Sequence, residues 1–161
     1  MHVVVMGVSG CGKSEAGQRL AALLHLPLIE GDVFHPQSNI DKMRSGIALT
    51  DDDRAGWLDV LAHELARHPH GAVLTCSSLK KSYRDRLRAA TPGLKFVHLS
   101  LPLEEAQRRV AARPGHFYPP SLVASQFAAL ENPDGEDGVV VVDACLPLDE
   151  VARRAAASLR A

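Results

Sequence analysis

Cysteine is scarce in this chain, with only three among 161 residues. Cys11, Cys76 and Cys145 are far apart, and no two of them form a C-x-x-C pair. An odd number of widely spaced cysteines argues against a disulfide scaffold. We therefore expect free thiols and a reducing, cytoplasmic compartment.

The chain also lacks long apolar runs and a large net charge of either sign. No stretch approaches the eighteen or more apolar residues that span a bilayer, so we expect no membrane partner. The short apolar run near the first residue breaks into glycines, which is not the pattern of a secretory signal. A net charge of −1 predicts no broad nucleic-acid surface. With no repeat or linker, we expect a single domain over residues 1–161.

A glycine-rich turn follows the first apolar run and precedes a helical stretch. It matches G-x-x-x-x-G-K-[ST] at every position, and its residues are Gly7, Val8, Ser9, Gly10, Cys11, Gly12, Lys13 and Ser14. Glycines let main-chain N–H groups approach phosphates closely, and the helix directs its positive dipole end towards them. Lys13 would add a charge, and Ser14 a hydroxyl ligand for Mg²⁺. The turn predicts a nucleotide site, with a chance glycine-rich turn as the alternative.

Apolar runs of strand type alternate with helical patterns along the rest of the chain. The runs cover residues 3–6, 28–30, 72–76, 95–99 and 139–143. This alternation is typical of an α/β domain with a parallel sheet. The second run ends in Gly31-Asp32, and open α/β sheets bind ligands at the carboxyl ends of their strands. Asp32 is therefore our first candidate for catalysis.

Five cations occupy positions where a ligand would explain them. Arg54 lies within the apolar stripe of a helix, in its first turn, so we favour an anionic ligand over a side chain that extends past the core. Lys80 and Arg84 follow the third run, where anion binding and a solvated helix are equally supported. Arg109 and Arg113 precede a hinge-like loop, where they would either close over phosphates or pair with the end of a helix dipole.

Taken together, the chain resembles the gluconate kinases, a branch of the small P-loop metabolite kinases. The run Gly31-Asp32-Val33-Phe34-His35-Pro36 is far more specific than the glycine-rich turn, and the resemblance covers nearly the whole chain. Other matching positions are Asn39, Lys42-Met43, Gly46, Leu49, Asp51, Asp53-Arg54, Trp57-Leu58, Cys76-Ser77, Leu79-Lys80-Lys81, Tyr83-Arg84-Asp85, Leu87-Arg88, Arg113, Gly115-His116-Phe117, Ser125-Gln126-Phe127 and Leu130-Glu131. The chain departs from the family at Cys11, Ala48, Ser78 and Pro114.

The resemblance implies ATP-dependent phosphorylation of D-gluconate to 6-phospho-D-gluconate, with Mg²⁺ as the metal. It also implies a homodimer and a P-loop NTPase type three-layer fold, with a five-stranded parallel sheet and helices on both faces. An acceptor-binding segment would cover about residues 33–70, and a lid about residues 113–121.

Catalytic roles follow from the resemblance as hypotheses. Lys13 and the loop amides hold the β- and γ-phosphates, and Ser14 binds Mg²⁺. Asp32 accepts or orients the proton of the acceptor hydroxyl. No Walker B type aspartate follows the third run, so Asp32 alternatively reaches the metal through water. Arg109 and Arg113 stabilise the transferred phosphoryl group.

Acceptor binding involves a second group of residues under the same hypothesis. His35 and Arg54, together with Lys80 and Arg84, would hold the carboxylate and hydroxyls of the acceptor. His116 either contacts a ligand or packs within the lid. A shikimate-type kinase is the nearest alternative, although its D-x-D pattern is missing at the second run. A nucleotide-dependent binding module is the other, although the chain has no N-K-x-D signature.

Overall fold

The computed structural model describes residues 1–112, 119 and 121–161 of the chain. Within these residues there are five strands: β1 His2–Met6, β2 Leu28–Glu30, β3 Ala72–Thr75, β4 Lys95–Ser100 and β5 Val139–Asp143. The α-helices are α1 Lys13–Leu24, α2 Gln37–Arg44, α3 Asp51–Ala66, α4 Lys81–Ala90, α5 Leu103–Ala112, α6 Ser121–Ala129 and α7 Leu148–Arg160. A short 3-10 turn, Gly31–Phe34, follows β2 directly.

All five strands are parallel and form one sheet in the order β2-β3-β1-β4-β5, which confirms the predicted sheet. The central strand β1 has β3 on one side and β4 on the other. The chain places β2 and β3 on one side of β1 before it crosses to β4. The carboxyl end of β1 therefore lies where the strand order changes direction, which is where open α/β sheets bind ligands.

Side chains of β1 alternate between two cores. Val3 and Val5 pack with α1, α5 and α7 on one face of the sheet. Val4 and Met6 pack with α3 and α4 on the other face. All four side chains are at most 1% exposed, which explains why this strand is a continuous apolar run. The predicted three-layer arrangement, with helices on both faces, is confirmed.

The structure describes the predicted acceptor-binding segment and only a small part of the predicted lid. The acceptor-binding segment at about 33–70 contains α2 and α3, which Lys42 and Asp53 join through an ion pair of 2.8 Å. The lid at about 113–121 falls mostly on residues 113–118 and 120, which lie outside the described residues. The single domain over 1–161 stays a prediction. No helix in the described part of the chain is both long and apolar enough to cross a membrane.

Candidate active site

The glycine-rich loop between β1 and α1 has a shape that only glycine readily adopts. Gly7, Gly10 and Gly12 have φ angles of 149°, 87° and 90°. A Cβ atom on Gly7 would lie 2.7 Å from Cys11 Sγ, and one on Gly10 would lie 2.8 Å from the carbonyl oxygen of Ala106. Both the backbone conformation and the lack of space therefore require glycine in this loop.

Lys13 and Ser14 begin α1, directly after the loop. Lys13 Nζ donates to the carbonyl oxygens of Gly7 and Val8 at 3.0 and 3.1 Å, so its charge lies against the loop. Ser14 Oγ donates to Glu30 Oε2 at 2.9 Å. The end of β2 therefore contacts the start of α1 through side chains.

Sequence reasoning missed Glu30, the last residue of β2. Its Oε2 accepts hydrogen bonds from Ser14 Oγ and from Thr75 Oγ1, each at 2.9 Å. Its Oε1 is buried and has no hydrogen-bond partner among the described residues. The one available signal was an acid at a strand end, which Glu30 shares with Asp32, two residues further on.

The 3-10 turn that carries Asp32 is fixed from both sides. Gly31 N donates to Thr75 Oγ1 at 3.2 Å, and Trp57 Nε1 donates to the carbonyl oxygen of Gly31 at 2.9 Å. A Cβ atom on Gly31 would lie 2.1 Å from the carbonyl oxygen of Thr75, so only glycine fits. The turn leaves the Asp32 side chain 73% exposed, at the carboxyl edge of the sheet.

His35 lies directly beneath this exposed acid. Its ring stacks on Trp57 with centroids 4.0 Å apart, and its Nε2 lies 3.8 Å from Asp32 Oδ1. Asn39 Nδ2 donates to His35 Nδ1 at 3.2 Å and to the carbonyl oxygen of Asp53 at 2.9 Å, which puts the imidazole proton on Nε2. Burial lowers the pKa of His35 to about 4, although Asp32 opposes that shift. Asp32 therefore faces a neutral N–H group at pH 7.

Arg54 is held in the first turn of α3, because Thr50 and Asp53 form a capping box there. Arg54 is only 8% exposed. Its guanidinium lies 5.6 Å from the centre of the Tyr83 ring, and no hydrogen bond or ion pair joins its side chain to any described residue. Among the described residues, this buried cation therefore has no carboxylate partner in an ion pair, and its role in binding a ligand stays a prediction.

Lys80 lies near Arg54 on the same aromatic ring. Lys80 Nζ is 5.7 Å from the centre of the Tyr83 ring and 2.9 Å from Asp51 Oδ1. The Tyr83 hydroxyl also donates a short hydrogen bond to Asp51. This hydrogen bond and the one from Lys80 lower the pKa of Asp51. Lys80 therefore forms an ion pair with a carboxylate, whereas Arg54 forms none with the residues that the structure describes.

Arg84 has a structural position that contradicts its predicted contact with the acceptor. Its side chain is 0% exposed. The guanidinium donates to Glu136 at 3.1 and 2.7 Å, and to the carbonyl oxygens of Ser78, Leu79 and Glu131 at 2.8, 3.1 and 2.9 Å. These bonds use all five N–H groups of an arginine. Arg84 holds the segment after β3 against the segment after α6 and has no N–H left for a ligand.

Arg109 also differs from its predicted position over the transferred phosphoryl group. Its guanidinium donates to the carbonyl oxygens of Ala144 and Gly10 at 2.9 and 3.4 Å, and to Glu105 at 3.0 Å. It thus joins α5, the glycine-rich loop and the connection between β5 and α7. A cavity of about 500 Å³ opens beside it. The lining includes Gly10, Gly12, Glu15, Arg109, Ala144, Leu146 and Pro147.

Gln126 is a further contact of the glycine-rich loop. Its Oε1 accepts a hydrogen bond from Ser9 N at 2.5 Å, and the side chain projects from α6. Gln126 and Arg54 line the same small cavity of about 40 Å³. Two other predicted residues, Arg113 and His116, lie outside the described residues, and their roles stay predictions.

Metal-binding potential at the site rests on oxygen atoms. Within the described ranges, no group of three or more His, Cys, Asp or Glu side chains is arranged to hold a metal. The three cysteines are free thiols. Ser14 and the half-buried carboxylate of Glu30 form instead a pair of hard oxygen donors beside the phosphate loop, and Mg²⁺ prefers such donors.

A parallel sheet with this loop at its switch point defines a P-loop protein of the kinase type, and residues 3–133 match the family model described as an AAA domain. Gluconokinase of Gluconobacter oxydans (strain 621H) is 46% identical over 144 residues, 87% of this chain and 80% of that protein. Thermoresistant gluconokinase of Escherichia coli (strain K12) is 41% identical over 152 residues, 92% of this chain and 87% of that protein. The crystal structure of a gluconokinase from Sinorhizobium meliloti 1021 has a TM-score of 0.92 and 48% identity, and covers 99% of this chain and 91% of its own. The chain belongs to the gluconokinase family.

Proposed function

We propose that this protein transfers the γ-phosphoryl group of ATP to D-gluconate and produces 6-phospho-D-gluconate and ADP. The observation that carries the proposal is that the phosphate loop and the exposed acid Asp32 lie at the same edge of the sheet. Glu30 contacts Ser14 of the phosphate loop, and two residues later the exposed Asp32 stands over the stacked pair His35 and Trp57. An acid that faces solvent beside a phosphate loop is placed to receive an acceptor hydroxyl.

The nucleotide would bind along the loop, with its base in the cavity beside Arg109. Main-chain N–H groups and Lys13 hold the phosphates, in keeping with the loop conformation. The cavity of about 500 Å³ is large enough for an adenine, and its wall includes Leu146 and Pro147. In this arrangement Arg109 lies beside the adenine and does not contact the transferred phosphoryl group.

Magnesium is the cation that this donor set fits. The hydroxyl of Ser14 would hold it beside the phosphates, and the hydrogen bond from Ser14 to Glu30 keeps this hydroxyl oriented. When bound, the cation neutralises charge on the phosphate oxygens.

Asp32 acts on the acceptor as general base in this proposal. A gluconate hydroxyl oxygen attacks the γ-phosphorus, the bond to the β–γ bridging oxygen breaks, and the hydroxyl proton passes to the Asp32 carboxylate. The Nε2–H group of His35 faces this carboxylate and helps to orient it. Arg54 is free to bind the carboxylate of gluconate, since no carboxylate of the described residues pairs with it.

A coupled ADP-release assay across gluconate, shikimate, other sugar acids and nucleotides tests the substrate. We expect clear preference for gluconate, and preference for any other acceptor would overturn the assignment. Asp32→Asn should keep its ATP affinity and lose nearly all turnover, because the base is removed and the loop is not. Full turnover in Asp32→Asn would exclude the role as base. The homodimer and the cytoplasmic location stay proposals, and light scattering tests the first.

A further inference from the structure

The two carboxylate oxygens of Glu30 have different surroundings. Oε2 accepts from Ser14 and Thr75, both at 2.9 Å. Oε1 is buried and has no hydrogen-bond partner in the part of the chain that the structure describes. No Lys, Arg or His of the described residues forms an ion pair with this carboxylate. A buried carboxylate oxygen without a hydrogen-bond partner is rare in proteins, so Oε1 is available to a group from outside the chain.

The sheet order explains why a glutamate stands here. Strand β3 lies between β2 and β1, and Glu30 pairs in register with Thr75 at the end of β3. Because Ser14 follows β1, a carboxylate from β2 must extend across β3 to contact it. Thr75 is small enough to allow this and donates a hydrogen bond to the carboxylate on its way. An aspartate at position 30, shorter by one methylene group, would not extend as far.

P-loop nucleotide-binding proteins commonly use a strand-end aspartate beside the loop serine or threonine to hold the cation. In this chain Cys76 and Ser77 follow β3, and neither is an acid. Glu30 supplies the carboxylate from the neighbouring strand. Asp32, by contrast, is 73% exposed, lies 3.8 Å from His35 Nε2, and makes no hydrogen bond to Ser14 among the described residues.

We propose that Glu30 is the protein carboxylate that binds the divalent cation of the metal–nucleotide complex, through Oε1, while Oε2 holds the Ser14 hydroxyl. This inference rests on the proposed kinase function and assigns metal binding to Glu30 and the base role to Asp32. It requires a carboxylate of glutamate length at position 30.

Calorimetric titration with a non-hydrolysable ATP analogue, with and without Mg²⁺, tests the inference. In Glu30→Gln the gain in affinity caused by Mg²⁺ should fall by about 10- to 100-fold, the usual cost of losing a carboxylate close to a metal. Affinity for the metal-free analogue should stay equal or rise, because a negative charge near the phosphates is gone. Glu30→Asp keeps the charge and should lose the Mg²⁺ gain as well, because its carboxylate falls short.

Asp137→Asn is the matched control, since Asp137 is exposed and lies at the amino end of β5, opposite the site. It should bind like the parent protein under both conditions. A full Mg²⁺ gain in Glu30→Gln, or an equal loss of affinity with and without Mg²⁺, would overturn the inference. If Glu30→Gln unfolds in a circular dichroism melt, Glu30→Asp decides by the same criterion.

The outcomes separate this inference from the proposed function. If the parent protein phosphorylates gluconate while Glu30→Gln keeps the full Mg²⁺ gain, the kinase assignment stands and the metal role of Glu30 fails. If the Mg²⁺ gain depends on Glu30 but gluconate is not a substrate, the acceptor assignment alone fails.

Discussion

The buried ion pair between Arg84 and Glu136 allows a direct test of whether Arg84 stabilises the fold or binds the acceptor. The Arg84 side chain is 0% exposed and the Glu136 side chain 16% exposed, and two hydrogen bonds join them. Glu136→Ala leaves the Arg84 charge buried with carbonyl oxygens only. Removing one partner of a buried pair lowers the free energy of unfolding by about 3–5 kcal/mol. For a chain of this size we expect the melting temperature to fall by roughly 6–20 °C.

Urea unfolding and a thermal melt measure the effect, and steady-state kinetics well below the melting temperature supply the functional comparison. The KM for gluconate should not change, because Arg84 is not an acceptor ligand. Asp85→Ala is the control: Asp85 is about half exposed, and its pairs with Lys81 and Arg88 should contribute little. A melting temperature unchanged in Glu136→Ala, or a raised KM for gluconate at full stability, would refute the reasoning.

Acid should reduce the difference between the parent protein and Glu136→Ala. Arg84 lowers the pKa of Glu136 in the folded protein. A carboxyl group with a lowered folded pKa contributes its stability in full above its unfolded pKa, and loses it as the pH falls through the folded value. The difference between the two unfolding free energies should therefore begin to shrink below about pH 4.3, the ordinary pKa of a glutamate, and should go on shrinking as the pH falls through the lowered folded value. A constant difference down to pH 2 would show that the charge of Glu136 is irrelevant.

Three further predictions concern the site. His35→Leu should flatten the pH dependence of the unfolding free energy between pH 6.5 and about 4. Burial lowers the pKa of His35 in the folded protein, so only the unfolded chain binds a proton at this imidazole in that range. An unchanged slope in urea titrations would contradict this prediction. Arg54→Met should raise the KM for gluconate by about 10- to 100-fold, as expected for loss of charged hydrogen bonds, and should leave the KM for ATP unchanged. Lys13→Ala and Ser14→Ala should abolish binding of Mg-nucleotide, and unchanged titration heats in either variant would refute the site.

The sheet and the phosphate loop could be predicted because their signals are local. Val3 to Met6 form a continuous apolar run since both faces of β1 are covered, and Gly7 and Gly10 stand where backbone geometry excludes a Cβ. The burial of Arg54 within the apolar stripe of α3 could also be predicted from helical spacing, whereas its role in binding a ligand stays a prediction.

Glu30, Arg84 and Arg109 depend on contacts that a linear pattern does not contain. The approach of Glu30 to Ser14 follows from the strand order β2-β3-β1. Two partners of Arg84, Glu131 and Glu136, lie 47 and 52 residues further along the chain, so periodicity within α4 could not distinguish burial from ligand binding. Arg109 fits the spacing of a phosphate-binding arginine. Besides Glu105 on its own helix, however, it contacts main-chain carbonyl oxygens of Gly10 and Ala144, which lie far away in the sequence.

The hydrogen bonds of Arg109 to three segments determine when the entropy cost of ordering the proposed nucleotide site arises. The Arg109 side chain donates hydrogen bonds to the loop at Gly10, to the connection at Ala144 and to Glu105 on its own helix. The entropy of ordering these segments is therefore lost when the chain folds, and a nucleotide bound as proposed would meet walls that are already ordered. Substitutions at Glu105, which would touch no ligand, should consequently weaken nucleotide affinity by loosening a preorganised receptor.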